Sequence, residues 1–377
     1  MEHQDSERVS LSSLHYGSSG EEFLNFSGFR SDNGDGEFSV NLVEIDESLL
    51  IDSSEVYIGR MIGGGGRSAV YEGLYDSRSV AVKIMQPCGE SMTNQDYKER
   101  FRREVMLLSR ATHQNIVKFV GASVKPVMTI VTELMTHGNL HKHLSSIRPA
   151  KLDLKLSIGY TLDIARAMEY LHANNIIHRD LKPSNLLLTE DKQHLKLADF
   201  GLSREEVSTE MTGEIGTYRW MAPELCSIEP CPRGTRTRYD HKVDVYSFSL
   251  ILWELLTNKT PFHGRDPILA TFDTCRNIRP SVDSIPEEFI PLLESCWAQD
   301  PSRRPEFTEI TGFLSGVLDK LTSEEEVEPA EEADEEEPED IEQAMIVAAP
   351  KEAKHKKSNF LSRVRGCFCG RTRKVAK

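Results

Sequence analysis

The sequence predicts an α+β fold of two lobes, a small β-rich one over about residues 52–134 and a larger, mainly helical one over about residues 138–321. Three observations predict it. Short β-branched runs around a glycine cluster crowd into the stretch before residue 134, whereas helical periodicity dominates after residue 138. No internal repeat is present, which removes solenoid and propeller architectures. Charge sets a nearly neutral middle apart from polar ends: residues 1–50 hold 11 acidic and 2 basic residues, residues 324–350 hold 13 acidic and none basic, and residues 351–377 hold 10 basic and one acidic.

Residues 1–51 are rich in Ser, Gly, Asp and Glu and bury too little to offset chain entropy, so they are expected to form a disordered acidic extension. Within it, a stretch such as Phe23-Leu24-Asn25-Phe26 would suit partner recognition. Val56 to Gly59 and Ser79 to Ile84 read as strands around a glycine-rich turn. Phe101, Val105 and Leu108 form one apolar stripe, the pattern of an amphipathic helix. Ile116 to Val120 and Met128 to Thr132 read as further strands, and Ile158 to Leu171 and Val243 to Leu256 as the most periodic helices. Residues 322–350 are expected to be an acidic disordered linker, and residues 351–377 a basic, cysteine-containing tail.

Several classes of function are excluded by composition. Seven scattered cysteines do not build a disulfide scaffold and suit a reducing compartment. No run approaches the roughly 18 apolar residues of a membrane helix. The start, Met1 to Asp5, has neither a secretory pattern nor a glycine at position two, so a cytoplasmic protein is expected. The basic block is small and terminal, which argues against nucleic acid as the partner.

Four separated pieces carry chemistry. Ile62-Gly63-Gly64-Gly65-Gly66-Arg67-Ser68-Ala69-Val70 brings backbone amides close to a phosphate, though alone it fits a plain hairpin equally well. A strand, not a helix, follows it, which disfavours a dinucleotide or Walker-type loop. Lys83, in an apolar strand, and Glu104, about 20 residues on in the amphipathic helix, offer an ion pair that places an ammonium against ATP phosphates. Ile177-His178-Arg179-Asp180-Leu181-Lys182-Pro183-Ser184-Asn185, then Leu197-Ala198-Asp199-Phe200-Gly201-Leu202, decide the matter. Phosphoryl transfer needs a carboxylate to orient and deprotonate a hydroxyl, which Asp180 supplies, and oxygen ligands for Mg2+, which Asn185 and Asp199 supply. Lys182, two residues on in an extended loop, points with Asp180 and can neutralise the transferred group. Gly216-Thr217-Tyr218-Arg219-Trp220-Met221-Ala222-Pro223-Glu224 closes the segment that Asp199 opens.

These motifs are the protein-kinase signature set, in the expected order. Over about residues 52–321 the chain resembles a eukaryotic protein kinase of the tyrosine-kinase-like group, and among these the plant Raf-like MAP kinase kinase kinases. The wording Lys182-Pro183-Ser184-Asn185 and Gly216-Thr217 resembles the serine/threonine pattern. The resemblance implies a bilobal kinase fold, ATP and Mg2+ as cofactors, and a protein substrate, a downstream kinase among the candidates. It implies that Lys83 contacts the α/β-phosphates, that Thr132 is the gatekeeper, and that the backbone of Glu133 and Met135 meets adenine between Val70, Ala81 and Leu187. It further implies a hydrophobic column of Leu108, Phe119, His178 and Phe200 anchored on Asp244, and a structural pair between Glu224 and Arg304. The chain departs from the family at the third glycine of the phosphate loop, which is Ser68, while Gly64 and Gly66 are additional.

Ser208, Thr209 and Thr212 are candidate phosphorylation sites, because Arg179 beside Asp180 is a positive charge that a phosphate could satisfy. Cys367 and Cys369, among basic and aromatic residues, are candidates for acylation and membrane-surface attachment. Nuclear import and attraction to the acidic block compete for the same tail. His137, His141 and His143 lack further ligands and read as a helix start. Cys226 and Cys231 have no second pair to complete a zinc site. The rival to an active kinase is a catalytically weak kinase-fold scaffold, and a dual-specificity kinase is the alternative within the enzyme class.

Overall fold

The computed structural model describes residues 8–14, 44–65, 68–86, 93–205, 218–226 and 239–327. The N-terminal lobe is a six-stranded sheet, entirely antiparallel. Its strands are β1 (Val9–Ser10), β2 (Tyr57–Gly65), β3 (Ser68–Tyr75), β4 (Arg78–Met85), β5 (Phe119–Ser123) and β6 (Thr129–Glu133), in spatial order β1-β2-β3-β4-β6-β5. Alternation in β4 buries Val80, Val82 and Ile84, each at most 2% exposed, and turns Ala81 and Lys83 to the other face. Helix α1 (Asn94–Arg110) starts at a capping box, in which Thr93 and Asp96 satisfy each other's backbone N–H groups at 3.1 Å. Its stripe of Phe101, Val105 and Leu108 is buried as the sequence pattern requires.

The C-terminal lobe is helical: α2 (Leu140–Ile147), α3 (Leu154–Ala173), α4 (Lys242–Thr257), α5 (Pro267–Cys275), α6 (Ile290–Cys296) and α7 (Phe307–Val327). Every residue of α4 is buried, so this helix is the axis around which the lobe packs. Short strands β7 (Ile176–Ile177), β8 (Leu186–Leu188), β9 (Leu195–Leu197) and β10 (Arg204–Glu205) form two antiparallel ribbons, β7 with β10 and β8 with β9. Among the described residues no helix is long and apolar enough to cross a membrane.

Three expectations are corrected. The acidic extension is not wholly outside the fold. β1 pairs with β2 through Val9 opposite Ile58 and Ser10 opposite Tyr57, and Leu11 is fully buried among Val56, Ile58, Val80 and Val131. Leu50 bridges Ala122, and Ile51 donates its N–H to Ala122 at 2.9 Å. Gly121 makes room there, because a Cβ at that position would lie 2.3 Å from Ile51. A composition average over 1–51 cannot detect two short apolar stretches that the sheet supplies with partners. At the other end, the linker expected to be disordered from residue 322 begins as helix, because α7 runs on to Val327. The strand expected at Ile116–Val120 begins instead at Phe119, because Asn115 and Val117 exchange backbone hydrogen bonds with Leu197 of β9. Phe23–Phe26 lies outside the described residues.

Candidate active site

The cleft is built from one strand, one helix and two loops. β4 presents Lys83, α1 presents Glu104 at 2% exposure, and the turn after β9 presents Asp199. Lys83 Nζ lies 2.5 Å from Glu104 Oε1 and 2.7 Å from Asp199 Oδ1. Asp199 adopts a left-handed backbone, φ 65°, and its Oδ1 also accepts the N–H of Gly201 at 3.2 Å. Burial alone would depress the Lys83 ammonium, but Asp199 and Glu104 outweigh it and hold the group above its usual range. Burial would likewise raise Asp199, and Lys83 outweighs it, holding that carboxyl well below the usual range. Glu104 is pushed up by burial, with Lys83 opposing.

The second group sits on the loop between β7 and β8. Asp180 is 4% exposed, and Lys182 Nζ lies 2.8 Å from its Oδ2. Lys182 has an extended backbone, φ −156° and ψ 158°, so two residues suffice to return its side chain to the face of Asp180. Asn185 Nδ2 donates to the Asp180 carbonyl at 2.9 Å and to its Oδ2 at 3.0 Å. Burial raises the Asp180 carboxyl, and Lys182 offsets only part of that rise. The two groups adjoin, since Asp199 adds to the rise at Asp180 while Lys182 helps to hold Asp199 ionised.

The donor set fits a hard divalent cation. With its amide nitrogen engaged by Asp180, Asn185 is left with Oδ1, an oxygen ligand to join the Asp199 carboxylate. Among the described residues no cluster of three or more His, Cys, Asp or Glu is arranged to hold a metal unaided.

Of the residues expected around adenine, Val70, Ala81 and Thr132 lie on adjacent strands of the N-terminal sheet, and Leu187 lies on β8. Register places Val70 opposite Lys83 and Ala81 opposite Thr132, and Val70, Ala81 and Leu187 are each half-buried. Thr132 Oγ1 donates to the Glu133 carbonyl at 3.3 Å. The Glu133 N–H is engaged by Lys118 O at 3.0 Å. Ile62, Gly63, Gly64 and Gly65 are the end of β2, paired with β3 as far as Gly65 opposite Ser68. Gly66 and Arg67 lie outside the described residues.

A family model, protein tyrosine and serine/threonine kinase, matches residues 56–314. The chain belongs to the protein kinase family. It is 42% identical over 273 residues to an Arabidopsis thaliana serine/threonine/tyrosine-protein kinase, HT1, covering 71% of this chain and 68% of that one. It is 38% identical over 312 residues to Arabidopsis serine/threonine-protein kinase STY17, covering 79% of this chain and 51% of that one. A Drosophila melanogaster mitogen-activated protein kinase kinase kinase is 34% identical over 279 residues, 71% of this chain and 23% of that one. The kinase thus spans about two thirds of the first relative's length, about half of the second's and about a quarter of the third's.

The supporting frame of the kinase is the one the motifs imply. His178 and Phe200 meet edge to face at 5.5 Å, and Phe200 shares a buried cluster with Leu108, against which Phe119 packs. Buried Arg304 pairs with Glu224 through two bonds, 2.6 and 2.9 Å. Arg179 is largely buried with its guanidinium 5.3 Å from the Tyr239 ring. Sequence reasoning missed Lys196, whose Nζ lies 2.7 Å from Glu133 Oε1 and fixes the hinge strand to β9. It also missed His172, whose Nε2 lies 2.9 Å from Asp244 Oδ2. The only signal for either was position, one inside a short strand and one at the end of a periodic helix. Ser208, Thr209, Thr212, Cys367 and Cys369 lie outside the described residues.

Proposed function

We propose that this chain is a Mg-ATP-dependent serine/threonine protein kinase that works as a Raf-like MAP kinase kinase kinase. The observation that carries the activity is the double engagement of Lys83 by Glu104 and Asp199 beside the Asp180–Lys182–Asn185 cluster. A catalytically dead scaffold has no need to keep all of these groups in register. The likeness to a kinase kinase kinase supports the position in a relay.

In this reading Glu104 fixes the Lys83 ammonium, which binds the α/β-phosphates of ATP. Asp180 accepts a hydrogen bond from the substrate hydroxyl, orients it for in-line attack on the γ-phosphorus and takes its proton as the new bond to phosphorus forms, the bond to the β,γ-bridging oxygen breaks and ADP leaves. Lys182 holds the Asp180 carboxylate ionised and faces the charge that develops on the transferred group. Asn185 and Asp199 would hold Mg2+, which supplies charge neutralisation at the phosphates. Ile62, Gly63, Gly64, Gly65, Gly66, Arg67 and Ser68 cover the phosphates. Thr132, Glu133, Met135, Val70, Ala81 and Leu187 receive the base.

Phosphate transfer to a purified MAP kinase kinase, followed by phosphoamino-acid analysis, tests the proposal. Phosphoserine and phosphothreonine are expected, with a drop of about 10²–10⁴-fold in Asp180→Asn. Phosphotyrosine in quantity would replace this reading with dual specificity, and equal turnover by Lys83→Met would end it. For the tail, a fluorescent fusion distributed identically with Cys367 and Cys369 intact or changed to Ser would remove membrane attachment through acylation.

A further inference from the structure

Cys226 and Cys275 lie 49 positions apart in the chain and reach the carbonyls of two adjacent residues, Ala222 and Pro223. Cys226 ends the short helical turn Pro223–Leu225 that follows the Trp-Met-Ala-Pro-Glu motif, and Cys275 ends α5. Cys226 Sγ lies 3.5 Å from the carbonyl oxygen of Ala222, and Cys275 Sγ lies 3.8 Å from that of Pro223, the next residue. Two sulfurs directed at consecutive carbonyls are brought side by side, on a turn and a helix that pack against each other. The third described cysteine, Cys296, is fully buried on α6 and belongs to the core. Cys226 and Cys275 are both partly accessible.

We propose that Cys226 and Cys275 form a reversible disulfide that clamps the end of the activation segment to α5. The oxidant is a peroxide. The Cys275 thiolate attacks one peroxide oxygen, the O–O bond breaks, and a sulfenic acid forms with release of hydroxide, which takes up a proton to become water. The Cys226 sulfur then attacks the sulfenic sulfur, its proton leaves with the hydroxyl as a second water, and the S–S bond forms. Two electrons leave the sulfur pair and reduce the peroxide, and a dithiol reductant returns them. Burial raises both thiols, which makes the reaction slow, and it starts at Cys275, where Arg279 offsets part of the rise.

The consequence follows from what the two elements already share. Thr271 Oγ1 of α5 donates to the Tyr218 carbonyl at 2.8 Å, and Arg219 donates to the Pro261 and Phe262 carbonyls at 2.7 and 2.8 Å. These bonds join the segment to the middle of α5 and the loop before it, so a bridge at Cys275 fixes the C-terminal end of the helix. A disulfide brings the sulfurs to about 2.05 Å, closer than two thiols in contact. The turn carrying Glu224 must move with Cys226, while Lys83, Asp180 and Asp199 hold their positions on other elements. The oxidised kinase is therefore expected to bind ATP unchanged and to show an altered KM for its protein substrate.

The test treats the full-length kinase with hydrogen peroxide, blocks remaining thiols and maps peptides without reduction. Expected are a loss of about 2 Da, a peptide joining Cys226 to Cys275, its disappearance with dithiothreitol, and a higher unfolding midpoint for the oxidised form. Cys275→Ser and Cys226→Ser should each abolish the bridge and the shift, whereas Cys296→Ser should leave both. Absence of the joined peptide in the wild type, or a bridge from Cys226 to Cys231 instead, overturns the proposal whatever the variants do. An oxidised wild type whose substrate KM equals that of the reduced form overturns the functional half.

Discussion

Asp244 Oδ1 accepts the backbone N–H of Arg179 at 2.8 Å, at a residue whose φ of 69° places it in the left-handed region. Its other oxygen accepts the N–H of His178 at 2.8 Å and contacts His172 Nε2 at 2.9 Å. One fully buried carboxylate of α4 therefore shapes the turn that delivers Asp180. Removing it leaves two buried N–H groups and a histidine without their acceptor. Asp244→Ala is expected to cost about 3–5 kcal/mol in urea unfolding. A loss below about 1 kcal/mol would mean that the turn stands without it.

The pH dependence of turnover reports on Asp180. A base must be ionised, and burial holds this carboxyl above its ordinary range. The acid limb of kcat/KM therefore lies above that of a solvated aspartate, and activity falls as pH drops through it. Lys182→Ala removes the charge that lowers Asp180, so its limb moves to still higher pH. Coincident limbs in wild type and variant would exclude Asp180 as the titrating base.

Glu254 gives a stability signature of the opposite sense to an ordinary surface carboxylate. It is fully buried on α4, 2.8 Å from Arg148, yet burial pushes it from 4.5 to about 7. The folded protein binds the proton more tightly than the unfolded chain, so this contribution is complete below 4.5 and is lost as pH rises through about 7. Glu254→Gln, which resembles the protonated form, removes the dependence. The stability of wild type relative to this variant should fall by up to about 3 kcal/mol across that window. Parallel stability–pH curves for the two would refute the assignment.

Leu11 ties the N-terminal extension to the sheet. Leu11→Ala should cost about 2 kcal/mol, at the low end for a buried leucine because the segment is short. Amide exchange at Leu11 itself, whose N–H donates to Val56 O at 2.8 Å, should accelerate. Unchanged exchange there would show that the segment is held by the β1 pairing alone.

Local order was legible in the chain, and so was the identity of the chemical groups. The alternation of Val80, Val82 and Ile84 gave the face of β4 that carries Lys83, and the stripe of Phe101, Val105 and Leu108 gave the helix that carries Glu104. The spacing of Asp180, Lys182 and Asn185 within one loop left little freedom in how they meet. Each of these is a short-range pattern with a period of two or about 3.6 residues. Where composition resembled a strand but the partner lay elsewhere, at Ile116–Val117 against Leu197, pattern alone misplaced the element.

Tertiary packing decided the rest. Lys83 and Asp199 are 116 positions apart, and no local pattern measures the 2.7 Å between them. The same holds for Leu11 under the sheet, for Lys196 on Glu133 and for Cys226 beside Cys275. Such contacts arise when buried surfaces are brought together, so they depend on the sum of many weak preferences rather than on any one residue's own.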